Sequence, residues 1–497
     1  MAASDGAGGA IVMWVDSRQW PEGIYAQRVD ANGVPQWTSS GVLLRYPVYQ
    51  FLLRVVDDEA HGAIAVWGGQ NSLGVQRVSA DGIPLWGSNG VVLRDSLDQE
   101  HWPELVPDGH GGAIVVWTAL YPSMHDTLFA ARIDSSGDVV WETRVRTDTL
   151  DMAAPCACAD GEGGVILAWY EYSGYSGHWA VRAQRVDSAG GIKWDAAGVS
   201  VCTSAMVQYS TGCVAVSGSC FVVGWLDGGG GNWQHRAQMF DMAGNRLWGL
   251  TGMPISDSFN SNTTAVGLPT GDARQSVWVW EENRTGTHDI FAQKLDSAGV
   301  RCWDSSGVWV GTTDTVNGYP FSAAADGKGG AIAAWPLCGN AHCEDIYAQH
   351  VDSAGRQRWS DTGLAVCRDS NRQKWTPAIV TDGDGGAIIA WLSYQSGVGS
   401  SICAQRVADG AGVQETMSDE YGVISTAPTV IRGVLFLAEA TSPKPQAANL
   451  MDAAGRKVAK LHKGANDVSA LAPGVYFVRE EPWATRNKLL AKVVVTR

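Results

Sequence analysis

The sequence predicts an all-β chain: an eight-bladed β-propeller of tandem four-stranded blades, followed by a small C-terminal β domain. Three observations predict it. A tryptophan closing an apolar run recurs at Trp14, Trp67, Trp117, Trp169, Trp225, Trp280, Trp335 and Trp391, with neighbours 50 to 56 residues apart. A second tryptophan follows in seven of the eight copies, at Trp37, Trp86, Trp141, Trp194, Trp248, Trp303 and Trp359. The 497 residues also hold 60 glycines and 23 tryptophans, which means many tight turns and many flat apolar surfaces to cover, without helical periodicity.

Within each copy the strands follow in order. The first is a short apolar stretch ending at Asp, as in Pro377 to Asp382. A tight Asp-Gly-x-Gly-Gly turn comes next (Asp108 to Gly112, Asp160 to Gly164, Asp326 to Gly330, Asp382 to Gly386), where glycine supplies the positive φ of a hairpin. The second strand is the apolar run Gly-Ala-Ile-x-x-Trp, as at Gly112 to Trp117, whose continuity implies burial on both faces. The third is the Ile-Tyr-Ala-Gln-Arg-Val-Asp type, at Ile24 to Asp30 and Ile346 to Asp352. An Asp-Ser-Ala-Gly turn such as Asp296 to Gly299 then leads to the second tryptophan and a Gly-Val strand such as Gly307 to Val310.

Four strands per repeat fit propeller blades. A solenoid rung is shorter, and a sandwich domain needs about 100 residues. The expected division is a propeller over 1–420 and a β-sandwich-like C-terminal domain over 421–497. Ring closure is left open. Only residues 1 to 4 precede the first turn, so either blade 1 lacks part of its inner strand or a strand after Val407 completes it.

Residues repeated in most blades read as architecture. The tryptophans pack between blades. Gln27 and its equivalents Gln76, Gln184, Gln238, Gln293, Gln349 and Gln405 satisfy backbone groups. Asp134, Asp187, Asp296 and Asp352 cap their own turns. The two uniform turn classes lie on one face of the disc, so the variable connections share the other, where binding residues usually sit. Those connections carry the candidate binding residues Trp20, Trp102, Tyr121, Tyr170, Tyr172, Trp179, Trp233, Tyr319, Trp375 and Tyr394, with Tyr209, His125, His178 and His235 among them. Aromatic rings beside carboxylates and amides suit sugar faces and hydroxyls, or amphipathic anchors of a protein partner.

A net charge of −15 and a pI near 5.1, without a basic stripe, exclude a nucleic-acid partner. No apolar run of about 18 residues marks a membrane span. The opening Met-Ala-Ala-Ser-Asp-Gly has neither the basic nor the apolar region of a signal peptide. No cofactor is implied. His-Glu-x-x-His, Gly-x-Ser-x-Gly, P-loop and Cys-x-x-Cys motifs are all missing. Glu171, Glu281 and Glu282 are the carboxylates that could pair as acid and base on the variable face. Asp382-Gly-Asp384-Gly resembles part of a calcium loop but reads as a plain turn, since the preceding blade has Asp-Gly-Lys there. Cys338 and Cys343 share one loop, open to a disulfide, to free thiols, or with His342 to a metal.

The phrase Asp326 to Trp335, Asp-Gly-Lys-Gly-Gly-Ala-Ile-Ala-Ala-Trp, followed by Asp345 to Asp352, resembles the repeat of large secreted bacterial propeller proteins. The tail segments Leu450 to Val458, Leu471 to Arg479 and Lys492 to Arg497 resemble the C-terminal sorting domain of type IX secretion cargo. The resemblance implies a secreted or cell-surface protein whose C-terminal domain contacts secretion machinery. Asp296 and Trp303 stand farther apart than in the Asp-box of sialidase-type propellers, so no catalytic residue is carried over from that family. The reading is a non-catalytic extracellular module that binds a polysaccharide or surface protein through its variable face. The alternatives are a glycan-degrading enzyme of glycosidase or lyase type on that face, or a structural lattice protein.

Overall fold

A computed structural model describes the chain from residue 1 to 414 apart from 19–20, 49–51, 120–125, 148–151, 174–177, 205, 218, 230–231, 258–260, 272–273, 284–286, 314–320, 339–342, 369–371, 384, 397–398 and 409–410. Beyond 414 it describes residues 416–417, 424–425 and 456 and the strands given below.

Eight four-stranded antiparallel blades form the propeller. Blade 1 contains Ala2–Ser4, Ala10–Asp16, Glu22–Val29 and Val42–Val48, and blade 8 contains Gln373–Thr381, Ala387–Gln395, Gly399–Ala408 and Ala411–Gln414. Between blades 2 and 3, the outer strand of one runs straight into the inner strand of the next as Val91–Pro107. Ring closure is thereby settled. Ala2–Ser4 pairs with Ala10–Val12 as the inner strand of blade 1, while Ala411–Gln414 pairs with the third strand of its own blade 8. Each blade closes on itself, and the inner strand of blade 1 touches those of blades 2 and 8.

Why tryptophan and glycine rise together in this sequence is visible at their contacts. The first tryptophan of a blade lies over the glycine that opens its fourth strand. At Gly198, with φ +74°, a Cβ would stand 2.7 Å from Trp169 Cη2. The second tryptophan covers the turn glycine of the following blade: a Cβ on Gly137, φ +92°, would stand 2.7 Å from Trp86 Cδ1. Its indole also donates across the seam, as from Trp37 Nε1 to the Ala80 carbonyl at 2.9 Å and from Trp141 Nε1 to that of Ser188 at 2.9 Å. Each pair of residues therefore needs the other.

The recurrent glutamine works as its repetition predicts. Gln27 Nε2 donates to Thr38 O at 2.7 Å and its Oε1 accepts from Trp37 N at 2.9 Å, a clamp repeated at Gln76, Gln184, Gln238, Gln293 and Gln349. Blade 8 lacks the second tryptophan, and there Gln405 Nε2 is buried without a hydrogen-bond partner among the described residues. The turn aspartates Asp134, Asp187, Asp296 and Asp352 each accept two backbone N–H bonds within their own turns.

Hydrophobic clusters fill the seams between blades. Among the described residues, those seven seams each contain a buried tryptophan. Among the described residues, the seam between blades 8 and 1 buries Ala10, Val12, Val380, Ile388 and Ala390, with Ala2, Ile402 and Ala404 packed against them and no fully buried tryptophan. After the propeller, Thr429–Ile431, Leu489–Val495, Gly474–Glu480, Ala448–Asp452 and Lys457–Leu461 form a five-stranded sheet in that order, and Val434–Leu437 pairs with Gly464–Asp467.

Candidate functional site

Because every blade runs up and down, the Asp-Gly-x-Gly-Gly and Asp-Ser-Ala-Gly turns share one face, here the turn face, and the longer connections share the other, the loop face. On the turn face one arrangement repeats. Asp160 Oδ1 accepts N–H bonds from Glu162 at 2.8 Å and Gly164 at 2.7 Å, while its Oδ2 accepts from Arg185 Nε at 2.9 Å. Asp5–Arg28, Asp58–Arg77, Asp108–Arg132 and Asp382–Arg406 repeat the pair, and blade 7 substitutes His350 on Asp326. These carboxylates are buried hubs that tie the first turn to the third strand. Asp382 belongs to this series, which is the plain-turn role.

The loop face is irregular, and its aromatic residues concentrate over blades 4 and 5. Tyr170, Tyr172 and Trp179 sit at the hairpin between Val165–Ser173 and His178–Val186, where Tyr172 registers opposite Trp179. Period-two alternation puts Tyr170 and Tyr172 on one side of the blade and Glu171 on the other. The Trp179 ring lies 5.2 Å from Tyr170 edge-on and 5.2 Å from Tyr172. Tyr209, from the inner strand of blade 5, lies 5.3 Å from Tyr170, 6.1 Å from Trp179 and 5.5 Å from Trp233. All five rings are half-buried, packed on one another yet open to solvent. Burial, and the neighbouring Tyr209 hydroxyl, push the Tyr170 phenol upward, so it remains a hydrogen-bond donor at neutral pH.

Two further candidates meet in blade 8, where Trp375 and Tyr394 stack at 6.2 Å. Trp102 is 47% exposed near the start of the blade 3 inner strand. Trp20, Tyr121 and Tyr319, like His125, lie outside the described residues. His235 departs from expectation: it is fully buried between blades rather than presented on a loop, with its ring 6.1 Å from that of Trp280.

The three candidate carboxylates do not converge. Glu171 is 3% exposed, with Oε1 accepting from Arg182 Nε at 2.9 Å and Oε2 lying 3.3 Å from Trp169 Nε1 and 3.4 Å from Arg146 Nε. Glu281 and Glu282 are adjacent on one strand and so face opposite sides of blade 6. Glu281 Oε1 lies 3.1 Å from His288 Nδ1 and 3.1 Å from Thr313 Oγ1. Burial raises its carboxyl, against the pull of Thr313 and His288. Glu282 accepts the Trp280 indole N–H at 2.7 Å, and its charge faces His235. Removal from water pulls His235 down to about 4, with Glu282 acting the other way. Glu171 belongs to blade 4 and these two to blade 6, with all of blade 5 between them.

A signal that sequence reasoning passed over accounts for several of these contacts. Blades 1, 4, 5 and 6 read Trp-x-Asp/Glu: Trp14 with Asp16, Trp169 with Glu171, Trp225 with Asp227, Trp280 with Glu282. A spacing of two returns a side chain to the same face of a strand, so in blades 1, 4 and 6 the carboxylate meets the indole N–H. The bond measures 2.9 Å from Trp14 Nε1 to Asp16 Oδ2. Cys338 and Cys343 are disulfide-bonded, which resolves their three-way choice. Cys338 N also donates to Thr313 O at 3.2 Å, fastening that hairpin beside the Glu281–His288 pair. Among the described residues no group of three or more His, Cys, Asp or Glu side chains converges as a metal site would require, and no helix is long and apolar enough to cross a membrane.

Fold and loops together define a β-propeller with one repetitive and one aromatic face. No family model matches the chain, and no curated sequence matches it. Several solved propellers resemble it in outline. An ulvan-cleaving polysaccharide lyase aligns at 11% identity and a TM-score of 0.46, over 70% of this chain and 90% of the other. The α-L-arabinofuranosidase of Fusarium graminearum aligns at 10% identity and 0.41, over 74% and 96%. The NanB sialidase of Streptococcus pneumoniae aligns at 8% identity and 0.38, over 79% and 86%. Likeness at this level decides nothing about activity.

Proposed function

We propose that the loop face engages a polysaccharide through the rings of blades 4 and 5. The observation that carries this reading is the cluster of Tyr170, Tyr172, Trp179, Tyr209 and Trp233, half-exposed and held by mutual ring contacts. Rings fixed by packing lose little freedom on binding, so their apolar faces are available to sugar C–H surfaces at low entropic cost. Trp375 with Tyr394 in blade 8, and Trp102 in blade 3, extend the contact along the same face. The Cys338–Cys343 bridge supports an extracytoplasmic setting. The likeness of the tail to a type IX sorting domain supports export to the cell surface.

A second reading is glycan cleavage on this face. Glu281 beside His288 supports it, because a carboxyl raised by burial next to an imidazole is a pairing able to exchange a proton. The structural neighbours named for lyase, arabinofuranosidase and sialidase activity fit that reading too. One experiment separates the two. The full chain is screened against a glycan panel, with mass spectrometry of the glycans recovered from each well. Binding with intact glycans is the expected result, weakened about tenfold by Trp179→Ala. Shortened products that disappear in Glu281→Gln would make cleavage the function, and silence across the panel would sink both readings.

A further inference from the structure

Resting on the polysaccharide reading, we infer that the glycan is an extended chain held at two opposed platforms, one on blades 4 and 5 and one on blade 8, so that it crosses the axis of the ring. The inference comes from register. Trp102, Tyr209 and Trp375 stand on the inner strands of blades 3, 5 and 8, opposite Thr118, Leu226 and Leu392. Each of those partners directly follows the first tryptophan of its blade, Trp117, Trp225 or Trp391. Equal register in equivalent blades means equal height along the axis, so the three rings start from one level at the loop-face end of the inner strands. The same register holds Leu52 in blade 2 and Ala153 in blade 4, so an aromatic residue there is no part of the blade architecture.

The two platforms are also built alike. Three residues past the first tryptophan, Tyr172 registers opposite Trp179 in blade 4, Gly228 opposite Trp233 in blade 5 and Tyr394 opposite Ser400 in blade 8. Rings from these pairs meet the inner-strand aromatics: Trp233 lies 5.5 Å and Trp179 6.1 Å from Tyr209, and Tyr394 stacks on Trp375 at 6.2 Å. The backbone marks the blade 8 platform independently. Thr376, directly after Trp375, has φ +47°, a left-handed conformation that a β-branched residue adopts only under constraint. The ladder slips between Trp375 and Ala378, as it does between Ser210 and Gly212 just past Tyr209. Such a bulge bends its strand and re-aims the side chains beside it.

Ring geometry sets the span. The inner strands touch one another in a closed circle, and blade 8 lies four blades from blade 4 in either direction. The platforms therefore face each other across the axis. Sheets pack about 10 Å apart, so eight blades make a ring roughly 25 Å across at mid-blade and less at the inner strands. A trisaccharide seated on the blade 4–5 rings falls short of blade 8, whereas an extended chain of several more sugars reaches both. Two contacts on one chain raise each other's effective concentration, which tightens binding without any new contact. Trp102, 47% exposed, stands at the same level one blade from the blade 4–5 platform.

The test is titration calorimetry of the full chain with trisaccharides and decasaccharides prepared from xylan, arabinan, galactan and polygalacturonate. For at least one of these polymers the decasaccharide is expected to bind about a hundredfold tighter than the trisaccharide. Trp375→Ala is expected to weaken the decasaccharide at least about tenfold and leave the trisaccharide unchanged, which also reports an intact fold, while Trp179→Ala weakens both. Tyr394→Ala, at a residue 37% exposed, repeats the comparison if Trp375→Ala does not fold. Equal affinity for the two lengths, or a decasaccharide weakened by Trp179→Ala but by neither blade 8 variant, would overturn the second platform and leave the polysaccharide reading standing. No binding of either length from any polymer would overturn that reading itself.

Discussion

Blade 4 contains two buried carboxylates gripped by arginine, one on each face. On the turn face Asp160 holds Arg185 at 2.9 Å; on the loop face Glu171 holds Arg182 at 2.9 Å and Arg146 at 3.4 Å. The first arrangement recurs in six blades, with His350 replacing arginine in blade 7. Among the described residues the second occurs once, on the side of blade 4 away from Tyr170 and Tyr172. The same chemistry thus serves two purposes: repeated, it makes six blades alike; single, it ties blade 4 to Arg146 of blade 3.

The largest effect should come from breaking the repeated version. Asp160→Ala leaves Arg185 buried and three donors unmatched, so a loss of about 3–5 kcal/mol in unfolding free energy is expected in urea denaturation. A loss below about 1 kcal/mol would mean the hub is not structural. Next comes His235 between blades 5 and 6. Its folded value of about 4 lies below the ordinary 6.5, so between those pH values the unfolded chain takes up a proton that the folded chain refuses. Stability is therefore complete above about 6.5 and falls as pH drops toward 4, by on the order of 3 kcal/mol. Thermal melts from pH 7 to pH 4 should show this slope, and His235→Phe should flatten it.

Smaller stability effects are expected on the loop face, with functional effects in their place. Trp179→Ala should change stability by no more than about 1–2 kcal/mol, because the ring is only half-buried, while weakening glycan binding about tenfold in titration calorimetry. Smallest of all is Ile83→Ser. This residue is 58% exposed on the turn face, and a change within about 0.5 kcal/mol, with binding untouched, is expected in the same assays. A binding defect there would reverse the assignment of the faces.

How far the sequence could be read follows the same division. The blades were legible because Trp, Gly, Gln and Asp recur where indoles cover glycines and amides clamp the turns. Ring closure was not, since Ala2–Ser4 is too short to carry a pattern. Concentration of candidates over blades 4 and 5 depends on contacts between two loops, and spacing within a ring fixes no such distance. The divergence of Glu281 from Glu282 was available in principle, because neighbours on a strand face opposite ways, as was the Trp-x-Asp/Glu pairing. The burial of His235 was not, because a histidine near a loop reads as exposed until the next blade is placed against it.

Self-contained blades have a consequence for how this ring could be cut. Ala2–Ser4 and Ala411–Gln414 pair only inside blades 1 and 8, so no ladder bond between described strands spans the junction. A circularly permuted chain, opened at a loop-face connection between two blades other than the continuous strand joining blades 2 and 3, and joined across the present junction, would keep every ladder intact. During synthesis the seam between blades 8 and 1 is the last to be made, since it brings together segments about 400 residues apart. The entropy of closing so long a loop grows only logarithmically with length. Permuting the junction to a tryptophan-filled seam should therefore alter the order of assembly far more than the final stability.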